Sequence, residues 1–280
     1  MRIIDASVIT DTVERLCMEA NYYLNEDIKE ALKNAMEKEE SQTGKSILES
    51  LIENAEIARA QKLAICQDTG MAVVFVEMGQ DVQVQGGYIE DAINEGVRRG
   101  YKKGFLRSSV VKDPLLRENT RDNTPAIIHY EIVKGDRFTI HVAPKGFGSE
   151  NMSVLKMLKP SDGIEGVKRT VLDAVSAAGP NPCPPIIVGV GIGGSMEKAA
   201  LMAKKALMRP IDKPNPDSFY KELEDELLER INKLGIGPAG LGGRITALKV
   251  NIETYPTHIA GLPVAVNIGC HVTRHKSAEI

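Results

Sequence analysis

The stretch NPCPPIIVGVGIGGS, residues 181–195, decides the fold. Gly189 to Gly194 satisfies G-x-G-x-x-G, follows an apolar run of strand length and precedes the helical pattern SMEKAALMAKKALM. That combination invites a dinucleotide-binding parallel sheet. Such a sheet needs the helix to return to a second parallel strand carrying an acidic ribose ligand. Here the helix runs into RPIDKPNPDS, residues 209–218, and then into a polar helical stretch. The glycines are therefore read as a turn that lets backbone approach a neighbour, and no nicotinamide cofactor is expected. Ahead of them Cys183 stands between prolines. Proline fixes its own φ and restricts the residue before it, which predicts a stiff, extended carrier for the thiol.

Outward from that stretch the pattern is mixed. Towards the N-terminus, residues 5–25, about 27–37 and 41–61 carry helical spacing, and MAVVFVEMG (71–79) reads as a buried strand. Residues 88–104 form a helix closed by Gly104. AIIHYEIVKGDRFTIHVA (126–143) alternates around Lys134-Gly135-Asp136, which predicts a β-hairpin. Another helix covers 163–179, and strands fall within 245–255 and 262–270. Helices early, a hairpin in the middle and strands late give an α+β fold. We expect one mixed domain over 1–280, helix-rich at its N-terminal end, with mixed and antiparallel sheets.

Composition narrows the function class. With a formal charge of −3, the chain gives no reason to expect nucleic acid or a membrane surface as partner. No apolar run approaches the ~20 residues of a membrane span. The start, MRIIDASVITDTVERL, lacks the basic and apolar regions of a signal peptide, so a cytoplasmic protein is the expectation.

Four cysteines stand at 17, 66, 183 and 270, none in a C-x-x-C pair. Cytosolic disulfides are rare, which leaves core filling, reactivity or metal ligation. Cys17 lies on an apolar helical stripe and reads as core. The other three each sit at an irregular junction beside Gly or Pro: ICQDTG (65–70), NPCPP (181–185) and GCHVTRHKSAEI (269–280). Each has a plain structural reading alone, respectively an Asx-type turn, a stiff loop and a solvated basic end. APKGFGSENMSVLKML (143–158) likewise reads as a capped helix or as exposed N–H groups able to hold a carboxylate. Taken together, three thiolates from distant loops could hold an iron–sulfur cluster. A four-iron cluster so held keeps one iron open as a Lewis acid.

The blocks CQDTG, LRSS, NTRDNTPA, KGFGSENMS, CPP with GIGGS, GLGG, THIAGLPVAVNIGC and the final TRHK extend from about residue 60 to the C-terminus. In this combination the chain resembles the α subunit of the two-subunit class I, iron–sulfur-dependent fumarate hydratases and their L(+)-tartrate dehydratase relatives. The resemblance implies a 4Fe-4S cluster on Cys66, Cys183 and Cys270. It implies Gln67 and Asp68 against substrate near the cluster, Arg107 on a substrate carboxylate, and a backbone N–H from Gly146 or Gly148. His258 aligns with a histidine lining the site, so Gln67, Asp68 and His258 are the candidate catalytic groups; Arg274 aligns in a substrate-binding segment. Further family residues, including a threonine at the proposed base position, belong to a domain with no counterpart here. A separate β subunit, in an α2β2 assembly, is therefore implied. Reversible hydration of fumarate to (S)-malate, a tricarboxylic acid cycle step, is the first expectation. L(+)-tartrate dehydration is the alternative, and a non-catalytic cluster-bearing subunit a more distant one.

Overall fold

Asp5 opens the first long helix, its carboxylate accepting the Ser7 N–H at 2.9 Å and so satisfying one of the donors a helix start leaves over. The computed structural model describes all residues from Met1 to Ile280. In chain order the elements are β1 (Arg2–Asp5), α1 (Ala6–Tyr22), α2 (Glu26–Lys38), α3 (Gln42–Gln61), β2 (Met71–Gly79) and β3 (Val82–Gln85). Then come α4 (Ile89–Lys103), β4 (Ile127–Val133), β5 (Phe138–Lys145), α5 (Phe147–Glu150), β6 (Val154–Leu158) and α6 (Gly163–Ala178). The last are β7 (Ile186–Gly193), α7 (Met196–Ala206), α8 (Ser218–Asn232), β8 (Ala247–Tyr255), β9 (Leu262–Gly269) and β10 (Lys276–Glu279). Mixed helices and sheets confirm the α+β expectation. Two compact units result: Met1–Leu24 with Ala55–Phe147 and Arg274–Ile280, and Asn25–Asn54 with Gly148–Thr273.

In the first unit α1 lies on α4, and both cover a four-stranded sheet of order β10-β5-β2-β4. Its core gathers Ile9, Val13, Leu16, Ile93, Val97, Val74, Val76, Phe138 and Ile140, with Cys17 fully buried among them, as its stripe position predicts. The expected hairpin at 126–143 does not form. β4 runs parallel to β2 and β5 antiparallel to it, so β2 separates them. The reason is the burial of Ala72 to Val76, which needs a strand on each side to pair its backbone. The 133–137 turn closes over the end of β2, receiving the Gln80 N–H on Val133 O at 2.9 Å.

In the second unit the sheet order is β6-β9-β7-β8, with β7 and β8 parallel and the other pairs antiparallel. All eight residues of β7 are buried. Val188, Val190 and Ile192 join the core with α6 and α8. The alternate positions, Gly189 and Gly191, face α7: a Cβ at either would stand 2.1 Å from the Ala203 or Ala199 carbonyl oxygen. Contrary to the expectation from sequence, after α7 and α8 the chain does return to a parallel strand, β8. The glycines are nonetheless used for helix packing, and the first turn of α7 carries Glu197, bonded to Ser195, where a phosphate would meet repulsion. Gly191→Ala should therefore destabilise the chain by about 2–3 kcal/mol, seen as a lower denaturant midpoint at unchanged slope.

Candidate functional site

The 66–70 loop joins α3 to β2 and is held from three sides. The buried Tyr101 hydroxyl donates to the carbonyls of Thr69 (2.8 Å) and Gly70 (3.1 Å). Burial, with a smaller contribution from Cys17, pushes the Tyr101 phenol far above its ordinary range, so it remains a donor. Asp68 accepts the Gly70 N–H through Oδ1 at 3.0 Å and the Phe147 N–H through Oδ2 at 2.9 Å. Gly146 leaves room for that carboxylate, since a Cβ there would come within 3.1 Å of Oδ2. Thus the amide that the KGFGS segment lends to this loop is that of Phe147.

Arg274 is the buried member. It is 5% exposed and donates Nη2–H to the Asp68 carbonyl, while its Nε and Nη1 have no hydrogen-bond partner. An unsatisfied buried guanidinium is costly, and a carboxylate is the complement to its remaining donors. Local sequence reads this residue as part of a basic tail and the family resemblance as a substrate-binding position; nothing local announces its burial.

Arg107 is exposed, but its backbone is fixed. Its N–H donates to Thr69 Oγ1 at 2.9 Å. Two residues on, Ser109 N–H donates to Asn123 Oδ1 at 2.7 Å, and Asn123 Nδ2 donates to Gly70 O at 3.2 Å. Fully buried Asn123, with φ of 61°, therefore ties the Arg107 segment to the 66–70 loop. Thr69, Tyr101 and Asn123 were all missed in the sequence. The one available signal was the tolerance of asparagine for left-handed backbone. Asn123→Ala should cost about 1–3 kcal/mol and speed hydrogen exchange at the Ser109 amide, because that donor is left unpaired.

In the second unit Cys183 and Cys270 lie on adjoining loops. His271 donates its backbone N–H to Cys183 O at 3.4 Å, and its Nδ1 lies 2.9 Å from the same oxygen. A carbonyl only accepts, which places the proton on Nδ1. Thr273 donates from both N (2.9 Å) and Oγ1 (2.7 Å) to Cys270 O, and a Cβ on Gly269 would fall 2.2 Å from that hydroxyl. Cys183 itself has φ of 53°, within a turn closed by its N–H on Pro180 O at 3.0 Å. The extended conformation expected ahead of Pro184 is thus replaced by a left-handed one. Behind it, Ala239 N–H donates to Pro184 O at 2.8 Å, and Gly240 sits where a Cβ would strike Pro180 at 2.2 Å.

The remaining candidates are less gathered. Gln67 and Gly148 are exposed. His258 borders an apolar groove of about 410 Å³ with Ile164, Ile192, Phe219 and Ile259, which none of the other candidates lines. Its Nδ1 accepts the Ala260 N–H at 3.2 Å, leaving the proton on Nε2. No three His, Cys, Asp or Glu side chains are disposed together as a metal site. None of the four cysteines is in a disulfide. Cys17 is inert, burial and then Glu14 pushing its thiol up to about 12, whereas Cys66, Cys183 and Cys270 all reach the surface.

The sequence profile of the fumarate hydratase (Fumerase) family matches residues 10–279. A putative L(+)-tartrate dehydratase subunit alpha of Methanocaldococcus jannaschii is 47% identical over 278 residues, covering 97% of each chain. The L(+)-tartrate dehydratase subunit alpha of Escherichia coli K12 is 33% identical over 269 residues, 95% of this chain and 88% of its own. A family profile spanning nearly every residue and relatives matched over most of the chain agree: the chain belongs to the fumarate hydratase family of hydro-lyases.

Proposed function

We propose that the chain is the α subunit of an iron–sulfur hydro-lyase that removes water from a β-hydroxy C4 dicarboxylate, with L(+)-tartrate as the favoured substrate. The observation that carries the substrate is the 47% identity, over 97% of both chains, to a relative named for tartrate. The sequence alone ranked fumarate and malate first, and the family's name keeps them as the second reading. Residues 1–280 would work as one functional domain, completed by a β subunit in an α2β2 assembly. The alpha-subunit names of the relatives support such a partner.

Cys66, Cys183 and Cys270 would hold a 4Fe-4S cluster. They fit the role as the three thiols open to the surface, two of them already on loops joined through His271. When bound, such a cluster supplies an open, Lewis-acidic iron for the departing hydroxide.

The protein's own groups account for the rest. Arg274 takes one substrate carboxylate through the donors that its bond to Asp68 leaves over, and Arg107 the other. Loss of a proton α to a carboxylate builds charge on that carboxylate, so a fixed guanidinium there favours the transition state. Asp68, held by two backbone amides, orients Arg274 and faces substrate with Gln67. Gly146 and Gly148 keep the neighbouring backbone open to the ligand. His258 presents its Nε2 proton to a site group, and the proton-abstracting base belongs to the β subunit.

Turnover of L(+)-tartrate and of malate by the anaerobically reconstituted αβ complex tests the choice. We expect the larger kcat/KM with tartrate; a preference for malate would return the fumarate reading. The α chain alone should turn over neither.

A further inference from the structure

Strand β4 is the outer strand of the first unit's sheet, paired with β2 on one side and with no strand on the other. Edges in native proteins are usually blunted by proline, lysine, a bulge or shortness. β4 has none of these: IIHYEIV pairs with β2 for seven residues without a register shift. It instead leaves Ile127 40%, Tyr130 41% and Ile132 66% exposed. An apolar edge of this kind is a template for another strand.

The strand's own sequence says which. Turned antiparallel about Tyr130, IIHYEIV sets Ile127 against Val133, Ile128 against Ile132, His129 against Glu131 and Tyr130 against its own copy. Every apolar residue meets an apolar one, and His129, a hydrogen-bond donor in either tautomer, meets the Glu131 carboxylate once on each side of the axis. Moving the axis one residue, to His129 or Glu131, leaves only five pairs and sets that residue against itself. Half-residue shifts would put outward-facing backbone groups opposite inward-facing ones and break the ladder.

We propose that β4 pairs with β4 of a second copy of this chain about a two-fold axis at Tyr130, joining two four-stranded sheets into one continuous sheet. Such a contact is isologous and closes at two copies. It rests on the α2β2 stoichiometry proposed above and supplies its α–α contact, independently of cluster or substrate.

The test is the mass of the full chain purified with its β subunit, by sedimentation over a dilution series. Wild type should sediment as α2β2. Ile132→Lys should give αβ, raising the α–α dissociation constant tenfold or more, as should His129→Glu, which opposes two carboxylates on each side of the axis, to a degree of about tenfold. Persistence of the 1:1 complex shows that these variants are folded. Adding Glu131→Lys to His129→Glu makes each pair opposite in charge and should restore α2β2. Wild type found as αβ would overturn both the stoichiometry and the pairing. Wild type as α2β2 with Ile132→Lys unchanged would overturn the pairing alone, and failure of the double variant to recover would overturn the Tyr130 register.

Discussion

Arg274→Leu is expected to lower kcat/KM for the dicarboxylate by roughly 30-fold to several-thousand-fold while the variant still assembles with its β subunit. The guanidinium is 5% exposed and spends one nitrogen on the Asp68 carbonyl, while Nε and Nη1 have no partner. A buried guanidinium with donors left over is poised for an anion, and removing it leaves a substrate carboxylate to be desolvated without compensation. Leucine keeps much of the buried volume, so the loss should fall on binding and turnover more than on folding. Arg274→Lys should recover little, because an ammonium on a flexible stem cannot hold the Asp68 carbonyl and a carboxylate in one fixed plane. A change smaller than about threefold in kcat/KM with Arg274→Leu would show that the fork serves only the loop around Asp68.

The second large effect concerns the glycine-rich loop that backs Cys183. Glu39, 2% exposed at the end of α2, accepts four backbone N–H groups: Glu40 (2.8 Å), Ser41 (2.9 Å), Arg244 (2.9 Å) and Ile245 (2.8 Å). Gly243 is required beside it, since a Cβ there would stand 2.7 Å from Oε1. Glu39→Ala strands four donors and should destabilise the second unit by about 3–5 kcal/mol, measured by denaturant unfolding. Its pH dependence has a definite sign. Burial acts to raise the Glu39 pKa, but the four amide donors outweigh it and hold the carboxyl below its ordinary value. A folded-state pKa below the unfolded one, about 4.3 for glutamate, contributes stability that is complete above the unfolded value. That contribution is lost as pH falls through the folded value. Wild-type stability should therefore fall in acid more steeply than that of Glu39→Gln; equal slopes would show that the clamp does not depend on charge.

Much of the scaffold was legible in the sequence because it depends on local pattern. The helical stripe of Val13, Leu16 and Cys17 appears as expected. What escaped is long-range pairing. The run AVVFV declares burial, yet nothing in it says that β4 and β5 will flank it in place of forming a hairpin. The same holds for β8, which returns parallel to β7 only after two helices. The chemistry divides in the same way. Three cysteines at Gly- or Pro-marked junctions stand out locally, whereas the burial of Arg274 and the four-amide grip of Glu39 are made by residues far apart in the chain. The proline-flanked Cys183 reads as extended from its sequence, but a turn closed by its N–H on Pro180 O takes its backbone left-handed.

The claim most exposed to test is that Cys66, Cys183 and Cys270 together hold the cluster. Iron and acid-labile sulfide should be counted anaerobically on the αβ complex carrying wild-type α, Cys183→Ala and Cys17→Ala. Wild type and Cys17→Ala should each hold about four iron and about four sulfide per α chain, and Cys183→Ala should hold little of either. A full complement in Cys183→Ala, or none in wild type after reconstitution, would contradict the account.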